Sequence, residues 1–217
     1  MEEHQKRILD DARIYIGNLF SSDGSGHDCY HMLRVAGTAS RLAGEEGADE
    51  FVVELAALLH DVDDVKLFPE TAGDKLHARA FMEKWNLGDE LIGRILHIID
   101  QVSFKGTDSE VPDSIEGMCV QDADRLDAIG AIGIARAFAY GGSHGRPIYD
   151  PEVPPMPEMD EKTYRGRVTH TLNHFYEKLF LLKDMMNTES GRRIAEERHG
   201  FMEKYVEEFL KEWNNVP

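Results

Sequence analysis

Residues 52–59 admit one kind of secondary structure in one kind of place. Val52, Val53, Leu55, Ala56, Ala57, Leu58 and Leu59 form an apolar run too continuous for a surface helix. A helix that is apolar all round is a buried one. The run stops at His60 and Asp61, side by side, with Asp63 and Asp64 about one turn on. A nitrogen ligand and an oxygen ligand offered from the end of a rigid, dry rod meet the requirements of a metal site.

The rest of the chain supplies helices to surround that rod. Residues 2–20 place Ile8, Leu9, Ala12, Tyr15, Ile16 and Leu19 at helical spacing. A second helix is predicted from about 28 to 44, where His31, Val35, Thr38 and Leu42 share the packed stripe. Spacing predicts further helices over 49–61, 76–85, 87–104, 115–140, 161–187 and 189–213, and no strand-like alternation is long enough to compete. The expected fold class is all-α, with 1–217 as a single domain whose C-terminal helices (about 161–213) pack on the core. Their apolar stripes suit packing within the chain and equally a homodimer. Residues 141–160, rich in Gly and Pro, read as a lid-like loop.

Charge and residue usage narrow the function. Two cysteines against ten histidines exclude a disulfide framework and favour imidazole and carboxylate chemistry. A formal charge of −17 argues against a nucleic-acid polymer as partner, because that affinity comes from many Lys/Arg–phosphate contacts. A small phosphorylated substrate remains compatible, since local cations dominate within a Debye length of roughly 8 Å. No apolar run reaches the roughly 18 residues of a membrane helix, and MEEHQKRILDDAR lacks the apolar segment of a signal peptide. A cytoplasmic location with no membrane partner is expected.

Four potential ligands come from three separate helices: His31, the pair His60 and Asp61, and an acidic residue within 121–128. Each lies on an apolar helix, where an unsatisfied polar group is costly, and one shared cation would satisfy all four. Asp124 aligns with Val120, Ala128 and Ala131, a small-residue face. Asp122 aligns with Met118, Leu126 and Ile129 and stays open, as does Asp127, one turn from Asp124. The candidate phosphate-binding cations are Arg34, one turn after His31, then Lys66, Lys105, Arg125 and Arg146.

The segments HDCYHMLRVAGTASRLA (27–43), ELAALLHDVDDVK (54–66) and VQDADRLDAIGAIGIARAF (120–138) resemble the HD-domain metal-dependent phosphohydrolase superfamily, whose signature is H…HD…D. The resemblance covers the whole chain and is closest to bacterial stand-alone HD hydrolases, some of which act on nucleoside triphosphates. It implies an HD-domain helical bundle with His31, His60, Asp61 and Asp124 as metal ligands, the last because Ala123-Asp124-Arg125-Leu126 matches the family's A-D-R-L context. It implies Asp64 as the group that orients or deprotonates water, with Asp127, one turn from Asp124, as a partner of the site or of a substrate hydroxyl. Asp63, at the helix end, is expected to be a solvated acid.

The ligand set suits one divalent transition metal, Mn, Fe, Co, Ni or Zn, better than Mg, which prefers all-oxygen shells. The expected function is hydrolysis of a nucleotide, such as a nucleoside triphosphate, or a related phosphate ester. Two alternatives stand beside it. His77 and His97 fall between the HD pair and Asp124, where some HD branches bind a second metal and a few use di-iron for oxygenation. A non-catalytic nucleotide-sensing HD module is the third reading.

Overall fold

Burial dictates the first half of the molecule. The computed structural model describes residues 1–20, 29–65, 68–102, 110–156 and 169–215; among them are nine α-helices and no strand. The chain divides into two compact units, one holding the described residues up to Asp124 and the other those from Arg125 onward.

The first unit contains α1 (Glu3–Leu19), α2 (Cys29–Glu46), α3 (Glu50–Leu59), α4 (Leu76–Lys84), α5 (Asp89–Val102) and most of α6 (Ile115–Asp127). The rod expected over 49–61 is α3. Asp49 caps it by accepting the N–H groups of Phe51 and Val52, and Phe51 through Leu59 are all buried. Helices α1, α2 and α5 pack around it. Leu55, Leu58 and Leu59 are wholly buried, each worth roughly 1.5–3 kcal/mol of apolar transfer. Glu54, the charged residue within that buried stretch, takes the Arg13 guanidinium of α1 and accepts the Ser40 hydroxyl of α2 at 3.1 Å. A carboxylate at that depth is tolerable because it is paired.

Helix α4 starts without a cap of its own. Lys75, at the N-cap, has φ 49°, in the left-handed region, and makes no side-chain cap bond. Asp63 caps α4 instead, from the turn that follows the HD pair. Its carboxylate accepts His77 N–H at 3.1 Å and Ala78 N–H at 2.9 Å. Asp63 is therefore a buried structural acid, not the solvated one expected.

The helix predicted over 115–140 is two helices. α6 ends at Asp127 and α7 (Gly130–Ser143) follows after a break. Gly130 sits at φ +76°, which other residues reach only with strain. A Cβ on Gly133 would lie 2.2 Å from the Ala128 carbonyl oxygen. Cations finish the end of α6, where carbonyl groups lack intrahelical partners. Arg198 donates to the Leu126 carbonyl, and Arg136 pairs with the Asp127 carboxylate at 2.7 Å.

The long helix predicted over 161–187 is likewise replaced. Residues 157–168 lie outside the described residues. Beyond them come a short helix, α8 (Asn173–Glu177), and a 3-10 helix (Leu179–Met185), separated by Lys178 at φ −144°. The physical reason is an anchored strap. Thr171 N–H and Leu172 N–H donate to the carbonyls of Pro147 and Ile148, and His170 and Asn173 hold the Val153 carbonyl. The loop expected over 141–160 therefore starts later, because α7 runs to Ser143, and its described part is tied down. The last helix, α9 (Glu189–Trp213), matches its prediction at both ends to the residue. Phe138 of α7, and Tyr205 and Phe209 of α9, form an aromatic cluster with the buried Phe175 of α8, with ring centroids 6.0–6.3 Å apart.

Candidate metal centre

Three helices of the first unit deliver side chains to one point. His31 enters from the first turn of α2, His60 and Asp61 from the end of α3, and Asp124 from α6. Ligand atoms of His31, His60 and Asp124 lie within 4.8 Å of one another. His31 Nε2 is 3.3 Å from Asp124 Oδ1 and 3.6 Å from Asp61 Oδ2. His60 Nε2 is 3.4 Å from Asp61 Oδ2 and 3.9 Å from Asp124 Oδ1.

The donor set is prepared for a cation. His60 Nδ1 lies 2.8 Å from the Ala57 carbonyl, which assigns the ring proton to Nδ1 and leaves the Nε2 lone pair facing the cluster. That atom is buried and has no hydrogen-bond partner. Leaving such a group unpaired costs about 1–3 kcal/mol, and a bound cation removes the cost. Gln101 Oε1 and His199 Nδ1 are also buried without partners, but neither belongs to a cluster of metal-ligating atoms among the described residues. Two imidazoles and two carboxylates thus fit a divalent ion.

Electrostatics and access follow from the same arrangement. Burial pushes the Asp124 carboxyl up, but the His31 hydrogen bond and the electrostatic influence of the neighbouring histidine rings outweigh it, so the group sits below the ordinary carboxylate range. The imidazoles are sealed, with side chains 2% and 4% exposed, whereas Asp61 and Asp124 are 20% and 25% exposed. Water and ligands therefore reach the cluster from its carboxylate side.

Asp64 is half-buried, its N–H donating to the Asp61 carbonyl at 3.1 Å. Arg34 is half-buried on α2, one turn beyond His31. Lys66 and Lys105 lie outside the described residues. Asp122 is fully buried but does not join the cluster. In the second unit, Asp127 is occupied by Arg136, Arg125 donates to the Met185 carbonyl, and Arg146 lies over the Tyr140 ring at 5.5 Å.

Neither extra histidine joins the ligand group. His97 is more than half exposed and pairs with Asp113 at 2.9 Å. His77 has Nδ1 3.0 Å from the Val62 carbonyl. Sequence reasoning missed the structural roles of Asp63 and Arg136.

Known proteins resemble this chain in sequence and fold. The family model of the HD domain matches residues 29–129, a span that holds all four clustered residues. The uncharacterised protein YpgQ of Bacillus subtilis is 42% identical over 205 residues, covering 92% of this chain and 91% of its own length. The crystal structure of YpgQ in complex with ADP covers 96% of each chain, at 38% identity and a TM-score of 0.76. An HD-superfamily hydrolase from Bacillus thuringiensis covers 97% of this chain and 98% of its own, at 42% identity and a TM-score of 0.78. The family model and the match of sequence, fold and length place the chain in the HD-domain superfamily of hydrolases.

Proposed function

We propose that the protein is a metal-dependent phosphohydrolase that cleaves a nucleotide, with nucleoside triphosphates as the first candidates. The observation that carries this reading is the convergence of His31, His60 and Asp124 around the unpartnered lone pair of His60, with Asp61 Oδ2 3.4 Å from that nitrogen. The nucleotide is suggested by YpgQ, 38% identical, whose crystal structure is a complex with ADP.

His31, His60, Asp61 and Asp124 would hold one divalent ion. When bound, such an ion neutralises charge on a phosphoryl group and makes a coordinated water more acidic. The chain's own residues do the rest. His60 is held in the ligating tautomer by the Ala57 carbonyl. Asp64 orients the attacking water and accepts its proton. Arg34 and Lys66 bind phosphate oxygens, supplying local positive charge in a chain of net charge −17.

The test is a screen of phosphate esters and nucleoside triphosphates with Mn²⁺, Co²⁺, Ni²⁺ and Mg²⁺ supplied separately, reading pyrophosphate against orthophosphate. Turnover of a triphosphate, faster with a transition metal than with Mg²⁺, is expected. No turnover of any phosphate compound with any ion would falsify the reading. Asp64→Ala should retain the ion while turnover falls on the order of 10²–10⁴-fold, the usual contribution of a general base. Full activity in that variant removes Asp64 from the mechanism.

A further inference from the structure

His77 is bound twice to the turn that carries the clustered acids. Its ring Nδ1 donates to the Val62 carbonyl at 3.0 Å, and Asp63 Oδ1 lies 3.2 Å from the same nitrogen. Its backbone N–H donates to Asp63 Oδ1 at 3.1 Å. Val62 and Asp63 are the two residues between Asp61 and Asp64. Within the turn the backbone bonds are sparse: Val62 N–H reaches the Leu59 carbonyl at 3.4 Å, and Asp64 N–H reaches that of Asp61 at 3.1 Å. The turn is therefore held from outside. The Asp63 side chain is 4% exposed and fixed by the first turn of α4. The His77 ring is braced by Phe68, with centroids 5.0 Å apart and the planes at 82°, and lies 3.4 Å from Thr71 Oγ1.

We propose that His77 is the positioning residue of the metal-ligating turn: its ring fixes the Val62 peptide and so sets the aim of Asp61. This rests on the assignment of the ion to His31, His60, Asp61 and Asp124. His77 contributes no ligand atom. Its Nδ1 faces a carbonyl, which only accepts, so that nitrogen carries the proton and offers no lone pair. Groups that orient ligands in this indirect way typically govern metal affinity by 10–100-fold.

The experiment is Mn²⁺ binding to the full chain, read from the electron paramagnetic resonance signal of free aqueous Mn²⁺, with no substrate present. The native chain, H77A, H77N and H77Q are compared, and apo melting temperatures are taken in parallel. The Asn amide nitrogen can occupy the place of Nδ1, whereas that of Gln falls near Nε2. One ion per chain is expected throughout, with affinity about tenfold weaker in H77A and H77Q and near native in H77N. Rescue by Asn but not Gln is the signature of the Val62 bond, and it stands even if H77A does not fold. Native affinity in H77Q, despite a lowered apo melting temperature, makes His77 merely structural and overturns the proposal. A drop in ions bound per chain makes it a ligand and overturns the proposal too. A native chain that binds no divalent ion sinks the metal assignment itself, a different result from any difference among the variants.

Discussion

Up to Asp124, ionisable side chains from α2, α3 and α6 converge on each other and leave the His60 Nε2 lone pair without a partner. From Arg125 onward, cations turn to the protein itself: Arg125 to the Met185 carbonyl, Arg198 to the Leu126 carbonyl, Arg136 to Asp127. The cores differ in the same sense. The first unit is built on an aliphatic rod whose whole surface is covered, the second on aromatic rings and a strap of backbone hydrogen bonds. Polar groups that satisfy one another hold a fold together, whereas polar groups gathered around an unmet valence are waiting for a ligand.

Asp61→Ala has the largest consequence for the first unit. If the first cluster is a cation site, removing one carboxylate should abolish ion retention and slow hydrolysis on the order of 10³-fold or more, since the ion is worth several kcal/mol at a phosphoryl group. Elemental analysis and turnover together read it. Retained ion with ordinary turnover would return the cluster to the structural class. Next comes Leu58→Ala, two residues from His60 on the rod. Leu58 is fully buried, and such truncations cost 2–5 kcal/mol, about 3 kcal/mol being central. A urea midpoint that barely moves would show that α3 is not the core of its unit.

The elbow between α6 and α7 offers the opposite control. Gly133→Ala drives a methyl group against the Ala128 carbonyl, and overpacking of this kind costs roughly 1–3 kcal/mol. Ion affinity should be unaltered, because no member of the cluster lies in α7. Weakened Mn²⁺ binding at unchanged stability would join what the comparison separates.

Legibility in the sequence follows the range of the forces involved. The rod was readable because seven apolar residues in eight admit no exposed face. His31 was readable because it lies on a stripe at steps of four, three and four, and α9 because its pattern is uninterrupted. The break at 128–129 was not readable. Gly130 and Gly133 sit inside an apolar, Ala-rich run, where small residues suit close helix packing as well as a left-handed turn. Asp63 was misjudged, and the pairing of Asp127 with Arg136 was not foreseen, because the start of α4 and Arg136 come into reach only when the chain turns back. Periodicity reports which face is buried; it is silent on which acid a distant N–H or guanidinium will claim.

The smallest expected effect separates the units by pH. His174, in α8, is held down to about 3 by burial, reinforced by the positive charges of Lys178 and Arg146. Its folded value is below the unfolded 6.5, so the unfolded chain takes up a proton that the folded chain refuses. Stability from this group is complete above about pH 6.5 and falls as the pH drops toward 3, by up to about 1.4 kcal/mol per pH unit. Between pH 7 and 5.5 the loss is about 1 kcal/mol. Asp124 has the other sign: its lowered carboxyl stabilises above the unfolded value of 3.8, and that contribution is lost only at more acidic pH. The window from 7 to 5.5 therefore crosses the His174 contribution and lies above that of Asp124. In chelator-treated protein, the urea midpoint of the native chain should fall across this window by more than that of His174→Gln, the difference being the about 1 kcal/mol assigned to the ring. Equal losses in the two chains would mean that His174 takes its proton as readily folded as unfolded, and that the second unit, like the first, keeps a polar side chain open to what surrounds it.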